Sequence, residues 1–265
     1  MGAVSFILAL YTKQGFKSMF KTDGSVHNSG IKNELDTIAF LNEAGIFKDE
    51  VKHLGGTKNK ADAMAGNVPI SIKHKKGLKN GSFDWVNTSK VDSLVNVGRF
   101  SDFLLLVDLY RNTPEAAAQV EPMRSAFANH CEKELDGITS ENLTAWLHQV
   151  LVRDNAGMVM AINDTESKEL HMVEDAGIMS VRLLKNGYRA ELVKGRGKSS
   201  RKVVFKSFGS EIDTGLRLRL TSNNGIKAFL GMSKANKNSQ IVLKLQQDNI
   251  KGLIETAHGV DSMPY

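Results

Sequence analysis

The sequence predicts an α/β fold: a mixed β-sheet core flanked by helices, followed by a β-rich basic lobe. Three observations predict it. Residues 114–151 carry helical periodicity, whereas the chain after about residue 176 breaks into short, mostly alternating runs with turn residues between them. Charge divides at nearly the same place. Residues 1–181 hold 19 Lys/Arg against 23 Asp/Glu, and residues 182–265 hold 16 against 6. No Pro-rich or Ser-rich linker separates the halves, so residues 1–175 and 176–265 are expected as two lobes of one compact unit.

Composition sets the bounds. The chain has 265 residues, 41% hydrophobic and 24% charged, which suits a globular protein able to bury its own core. Its one cysteine, Cys131, excludes an internal disulfide and a cysteine zinc site, and fits a reducing, cytoplasmic setting. A net charge of +6, gathered toward the C-terminal end, points to a polyanionic partner. The apolar opening GAVSFILALY is too short to span a bilayer and lacks the flanks of a signal peptide. It is expected to dock on the core. Phe6 breaks the myristoylation pattern, and no basic amphipathic helix suggests a membrane surface.

The elements follow in order. KTDGSVHNSG, residues 21–30, reads as a loop. GIKNELDTIAFLNEAG reads as a helix capped by Asn28 or Ser29 and ended by Gly45, with Ile31, Leu35, Ile38 and Ala39 as its apolar stripe. Residues 60–76 read as a hairpin about Gly66-Asn67. The apolar run FSDFLLLVDL, Phe100–Leu109, is expected as a central buried strand. Two helices cover 114–151, the second capped by Ser140, with their acidic residues on solvated faces. SVRLL and YRAELV flank a turn at Lys185-Asn186-Gly187. KVVFKSF, LRLRL, IKAFLG and IVLKLQ follow as strands, with a second hairpin at Asn223-Asn224-Gly225.

The hairpin at Gly66-Asn67 carries the chemistry. If Ala65 pairs with Val68, pairing outward sets Asp62 opposite Ser71, and Lys73 shares that face. Pro69 then stands opposite Met64 at a non-hydrogen-bonded position, where its missing N–H costs nothing. A carboxylate beside a lysine suits metal-assisted phosphodiester hydrolysis: the carboxylate binds a hard cation and the lysine meets phosphate or positions water. On a surface hairpin the same two residues are equally an ordinary ion pair. Glu34 lies on or beside the helix stripe, where a carboxylate is costly unless paired. It either supports the same centre or keeps its head wet at the rim.

The ordered elements GIKNELD, GGTKNKAD and PISIKHKKG resemble the helix–strand–strand core of PD-(D/E)xK nucleases, and more closely the small four-base-pair restriction endonucleases of the HinP and MspI types. The similarity extends to a late Asn-, Gly- and Lys-rich hairpin before QIVLKLQQDNI, and covers about half the chain. The resemblance implies a restriction-endonuclease-like fold and Mg²⁺-dependent, sequence-specific cleavage of double-stranded DNA. It implies Asp62, Glu34 and Ser71 at the metal and Lys73 as the motif lysine. Ser71 departs from the acid usual at its position and contributes only a hydroxyl, with the Ile72 carbonyl as a further ligand. A cognate DNA methyltransferase is the implied partner, and the nuclease is a monomer or a homodimer. A phage or repair nuclease without restriction specificity and a non-catalytic DNA-binding relative are the alternatives.

Further basic residues extend the expected DNA surface. Lys75 and Lys76 follow the motif lysine. Lys194, Arg196, Lys198, Arg201 and Lys202 stand in a Gly/Ser-rich stretch whose backbone can approach phosphates, and the same stretch also reads as a solvated loop. Lys234, Asn236, Lys237 and Asn238 have side chains able to reach base edges. His74 is read as either a phosphate contact or a structural residue, and Phe83 and Trp85 as core rather than stacking platforms. The chain has no P-loop, no dinucleotide fingerprint and no nucleophile elbow.

Overall fold

The computed structural model describes residues 26–54, 61–76, 83–88, 94–155, 158–173, 183, 186–195, 197–233, 239–248, 250–251, 254 and 260–264. The docking expected of the N-terminal segment therefore lies outside the described residues. The described residues are mixed α/β and build two six-stranded sheets.

Helix α1, Val26–Glu43, starts four residues earlier than its caps suggested, so Asn28 and Ser29 sit within its first turn. Its end is as expected. Gly45 adopts φ +60, the Ile46 N–H bonds back to the Leu41 carbonyl and the Gly45 N–H to Asn42, a Schellman closure. The buried stripe is Thr37, Ile38 and Leu41; Ile31, Leu35 and Ala39 lie exposed.

The first sheet runs β1 (Val51–His53), β2 (Ala63–Ala65), β3 (Val68–Lys75), β5 (Val159–Asp164), β6 (Glu169–Val173), β12 (Val260–Pro264). Only the β3–β5 pair is parallel, which makes the sheet mixed. The hairpin register is the one the sequence predicts: Ala65 with Val68, Met64 with Pro69, Ala63 with Ile70. Gly66 alone of the two turn residues takes positive φ, +56, the type II′ choice. Ile70, Ile72, Ala161, Leu170 and Met172 face one way, into a cluster with Ile38 and Leu41 of α1. Met160, Ile162 and Val173 face the other, into the main core.

The second sheet runs β4 (Phe83–Thr88), β11 (Ile241–Gln247), β10 (Leu216–Ser222), β8 (Ser200–Ser207), β7 (Arg189–Lys194), with β9 (Ser210–Ile212) paired to β8. Strand β4 comes from the N-terminal half, and β12 returns from the C-terminal end to the first sheet. The expected boundary at residue 175 therefore does not coincide with the sheets. Helices α2 (Ser101–Tyr110), α3 (Val120–Asp136) and α4 (Ser140–Asn155) fill the space beside them, and one main cluster joins their apolar faces to both sheets.

Three expected elements change type or connection. FSDFLLLVDL is helix α2, not a central strand. Leucine is a strong helix former and only Val107 in the run is β-branched. Phe103 and Val107, one helical turn apart, are its buried residues, while Leu105, Leu106 and Leu109 stay exposed. IKAFLG opens as the short helix α5, Ile226–Phe229, so Asn223-Asn224-Gly225 begins a longer connection to β11 rather than a tight hairpin. Leu183, the described residue of SVRLL, is helical rather than extended, and Gly187 takes the positive φ of a turn; the other residues of the expected first strand lie outside the described residues.

Helix α4 is capped by Thr139, whose hydroxyl accepts the Asn142 N–H. Ser140, the expected cap, instead donates to the Ala190 carbonyl at 2.8 Å, and Thr144 accepts the Ala190 N–H at 2.9 Å. Two hydroxyls thus lock α4 to β7. Phe83 and Trp85 are core, as expected, in edge contact at 5.0 Å, with the Trp85 indole donating to Gln247.

Cys131 is fully buried in α3, and burial pushes its thiol up to about 12. The thiolate is the reactive form, so the native protein is expected to resist a thiol reagent until denaturant is added. Stoichiometric labelling of the folded chain at neutral pH would show that the helix opens readily.

Candidate functional site

The β2–β3 hairpin ends its regular ladder at Ala63–Ile70, and the next residue is Asp62. The Asp62 N–H donates to the Ile70 carbonyl at 2.9 Å and its carbonyl accepts the Leu54 N–H, so its backbone is tied on both sides. Its carboxylate reaches past the end of β2 to β3. Oδ2 accepts the Ile72 N–H at 2.7 Å, the Ser71 hydroxyl at 3.3 Å and the Lys73 ammonium at 3.5 Å. The structure thus brings together the three residues that the hairpin register groups. Asp62 Oδ1 has no bond among the described residues.

Ser71 is buried, whereas Asp62 and Lys73 each keep about a quarter of their side chain exposed. Ser71 and Lys73 point away from α1, because Ile70 and Ile72 between them face it. His74 therefore turns back toward α1, away from Lys73. Burial lowers its pKa, with Asp36 of α1 opposing that shift. Lys75 rejoins the Lys73 side, 6.0 Å from the Phe83 ring. Burial lowers the Lys75 pKa, the neighbouring Lys73 adds to the effect, and Asp84 opposes it. Lys76 is exposed.

Glu34 makes its contact with a residue the sequence reading missed. Its Oε2 lies 3.0 Å from His53 Nε2, both side chains being about a quarter exposed. Val51 and His53 share the face of β1 that α1 covers, and β1 sets His53 opposite Ala63, one residue from Asp62. The pair thus stands on the α1 side of the strand edge, and Ser71 and Lys73 on the other. No bond joins Glu34 to Asp62, and no group of three or more His, Cys, Asp or Glu suited to a metal occurs among the described residues. His53 had no signal in the sequence beyond its place two residues before GGTKNKAD.

The expected basic surface divides. Arg201 is corrected: it is not a surface cation but a buried one, held by Asp136 and by three carbonyls. Lys198 is exposed yet engaged by Asn129 and Glu132, and Lys202 by Asp213. Lys194 is exposed. Arg196, Lys234, Asn236, Lys237 and Asn238 lie outside the described residues. The acids expected on solvated helix faces explain part of this. Glu132 and Asp136 of α3 meet Lys198 and Arg201, so the oppositely charged halves partly neutralise each other.

Compared with protein-family models, with curated proteins and with solved structures, the chain matches none. No helix among the described residues is long and apolar enough to cross a membrane.

Proposed function

We propose that the chain is a Mg²⁺-dependent endonuclease of the PD-(D/E)xK type that hydrolyses double-stranded DNA at defined sites. The carrying observation is the Asp62–Ser71–Lys73 group, assembled on one hairpin, with one carboxylate oxygen unbonded among the described residues. Mg²⁺ takes oxygen ligands, needs only one or two carboxylates from a protein and keeps several waters. The Asp62 carboxylate, the Ser71 hydroxyl and the Ile72 carbonyl fit that sparse donor set, while Glu34 is held by His53 on the α1 side and makes no contact with Asp62. When bound, the cation neutralises charge on the phosphate and eases deprotonation of a coordinated water. Lys73 sits within reach of Asp62, where its ammonium can meet a phosphate oxygen or hold the attacking water. Lys75, on the same face, adds a second positive charge. A methyltransferase protecting the same DNA site is the partner this reading calls for.

The test is digestion of a long duplex with Mg²⁺, followed by sequencing of the ends. Discrete fragments with one shared end sequence support restriction specificity. Scattered ends support a nuclease of repair or phage metabolism, and metal-dependent cutting that never occurs sinks the enzymatic reading.

Ser71 and Lys73 have unequal expected effects. Lys73→Ala removes a charge facing the phosphate and is expected to slow cleavage roughly 10²–10³-fold. Ser71→Ala removes one long hydroxyl–carboxylate hydrogen bond, worth about 1 kcal/mol at this length, or roughly fivefold. Single-turnover rates on one duplex check the order. Equal losses in two folded variants would contradict a subordinate Ser71.

A further inference from the structure

The face of the second sheet turned away from the main core carries cations directly opposite one another, next to the buried Val204 and Val242. Leu216, Leu218 and Leu220 of β10 point into the core, so Arg217 and Arg219 point outward. Arg217 lies between Gln246 of β11 and Lys202 of β8, and Arg219 is opposite Lys244 of β11. Like charges so placed oppose folding unless something compensates. Lys202 has Asp213, Lys244 has Asp84 and Arg217 has Asp248. Arg219 is exposed and has no ion pair among the described residues.

This face is continuous with the hairpin site. Asp84 of β4 accepts from Lys244 at 2.8 Å and from Gln246 at 2.7 Å. Phe83, the neighbouring residue of β4, has its ring 6.0 Å from the Lys75 ammonium, and Lys75 shares the Lys73 face of β3. A run of cations thus passes from Arg219 and Arg217 through Lys244 to Lys75 and Lys73.

We propose that this outer sheet face docks the phosphate backbone of duplex DNA and leads it to Lys73 and Asp62. The inference rests on the nuclease reading. Adjacent strands place outward side chains about 4.8 Å apart, and successive outward positions on one strand about 6.8 Å apart. The cations therefore form a two-dimensional array rather than a single point, which suits a ligand carrying charge along its whole length. Arginine forks also match phosphate oxygens in pairs. Such contacts position DNA without reading it.

The test is a salt titration of binding to random-sequence duplex, with Ca²⁺ in place of Mg²⁺ to hold cleavage off. Each phosphate contact contributes about −0.9 to the slope of log affinity against log salt. Arg217→Gln/Arg219→Gln is expected to make the slope shallower by about 1.8. Arg217 also holds Asp248, so a second variant guards against misfolding. Arg219→Glu disturbs no ion pair among the described residues and is expected to weaken binding at least fivefold. Lys133→Gln, on α3 behind the sheet, is expected to leave both affinity and slope unchanged. If wild-type protein binds duplex but both sheet variants keep its affinity and slope, the DNA lies elsewhere and this surface is wrong. If wild-type protein binds no duplex at all, the nuclease reading falls first and the surface with it.

Discussion

Replacing Asp62 with Asn is expected to abolish DNA cleavage while leaving the protein folded. The choice of Asn matters. Asp62 Oδ2 holds the Ile72 N–H at 2.7 Å, and alanine would strand that donor at a partly buried position. The Asn carbonyl oxygen can keep the bond, so the change isolates the charge. A neutral amide is a poor ligand for a hard cation and no longer opposes the Lys73 ammonium. Loss of metal-assisted catalysis is expected to cost roughly a thousandfold or more, about 4 kcal/mol of transition-state stabilisation. Thermal unfolding should move little, since the pair with Lys73 is long and partly solvated. Cleavage by Asp62→Asn at the wild-type rate would show that the hairpin is a surface ion pair and no more.

The hairpin was legible in the sequence because its information is local. Gly66-Asn67 sets a two-residue turn, the turn sets the register, and Pro69 tolerates only the register found. Gly45 was legible for the same reason, since αL geometry at a helix end depends on one residue. The misread elements depended on distant packing. In FSDFLLLVDL the run of apolar residues suggested burial on all sides, but Phe100, Phe103 and Val107 found the core with Leu104 packed against it, and exposed leucines are unremarkable on a helix. Ser140 has a sound cap chemistry, yet β7 offers its carbonyl and Thr139 takes the cap instead. His53 was invisible because its meaning arises from Glu34, 19 residues away and on another element. The charge asymmetry was real as a count and misleading as a map. Sequence blocks of opposite sign fold against each other, and the outward cations of the second sheet other than Lys202 come from regularly alternating strands rather than from the Gly/Ser-rich stretch.

Arg201 separates those two meanings of a positive charge. Its side chain is only 3% exposed. Its Nε and Nη2 meet Asp136 Oδ1 at 2.8 and 2.6 Å, and its Nη1 donates to the carbonyls of Ser200, Gly197 and Lys198 at 2.9, 3.3 and 3.4 Å. One guanidinium thus closes the turn before β8 and ties it to the end of α3. Arg201→Gln is expected to destabilise the fold by about 3 kcal/mol, because charged hydrogen bonds are lost and carbonyls are left without donors. The larger values seen for broken buried pairs are not expected, since Asp136 is 59% exposed and water can take over its charge. Arg201→Lys should fall nearly as far, because an ammonium cannot span a carboxylate and three carbonyls as the planar fork does. Lys202→Gln, one residue on and more than half exposed, should change stability by less than about 0.5 kcal/mol. Denaturant unfolding of the three variants measures this directly. If Arg201→Gln unfolds at the wild-type midpoint but binds duplex DNA with a shallower salt dependence, Arg201 is a phosphate contact after all, and the turn before β8 opens toward the ligand.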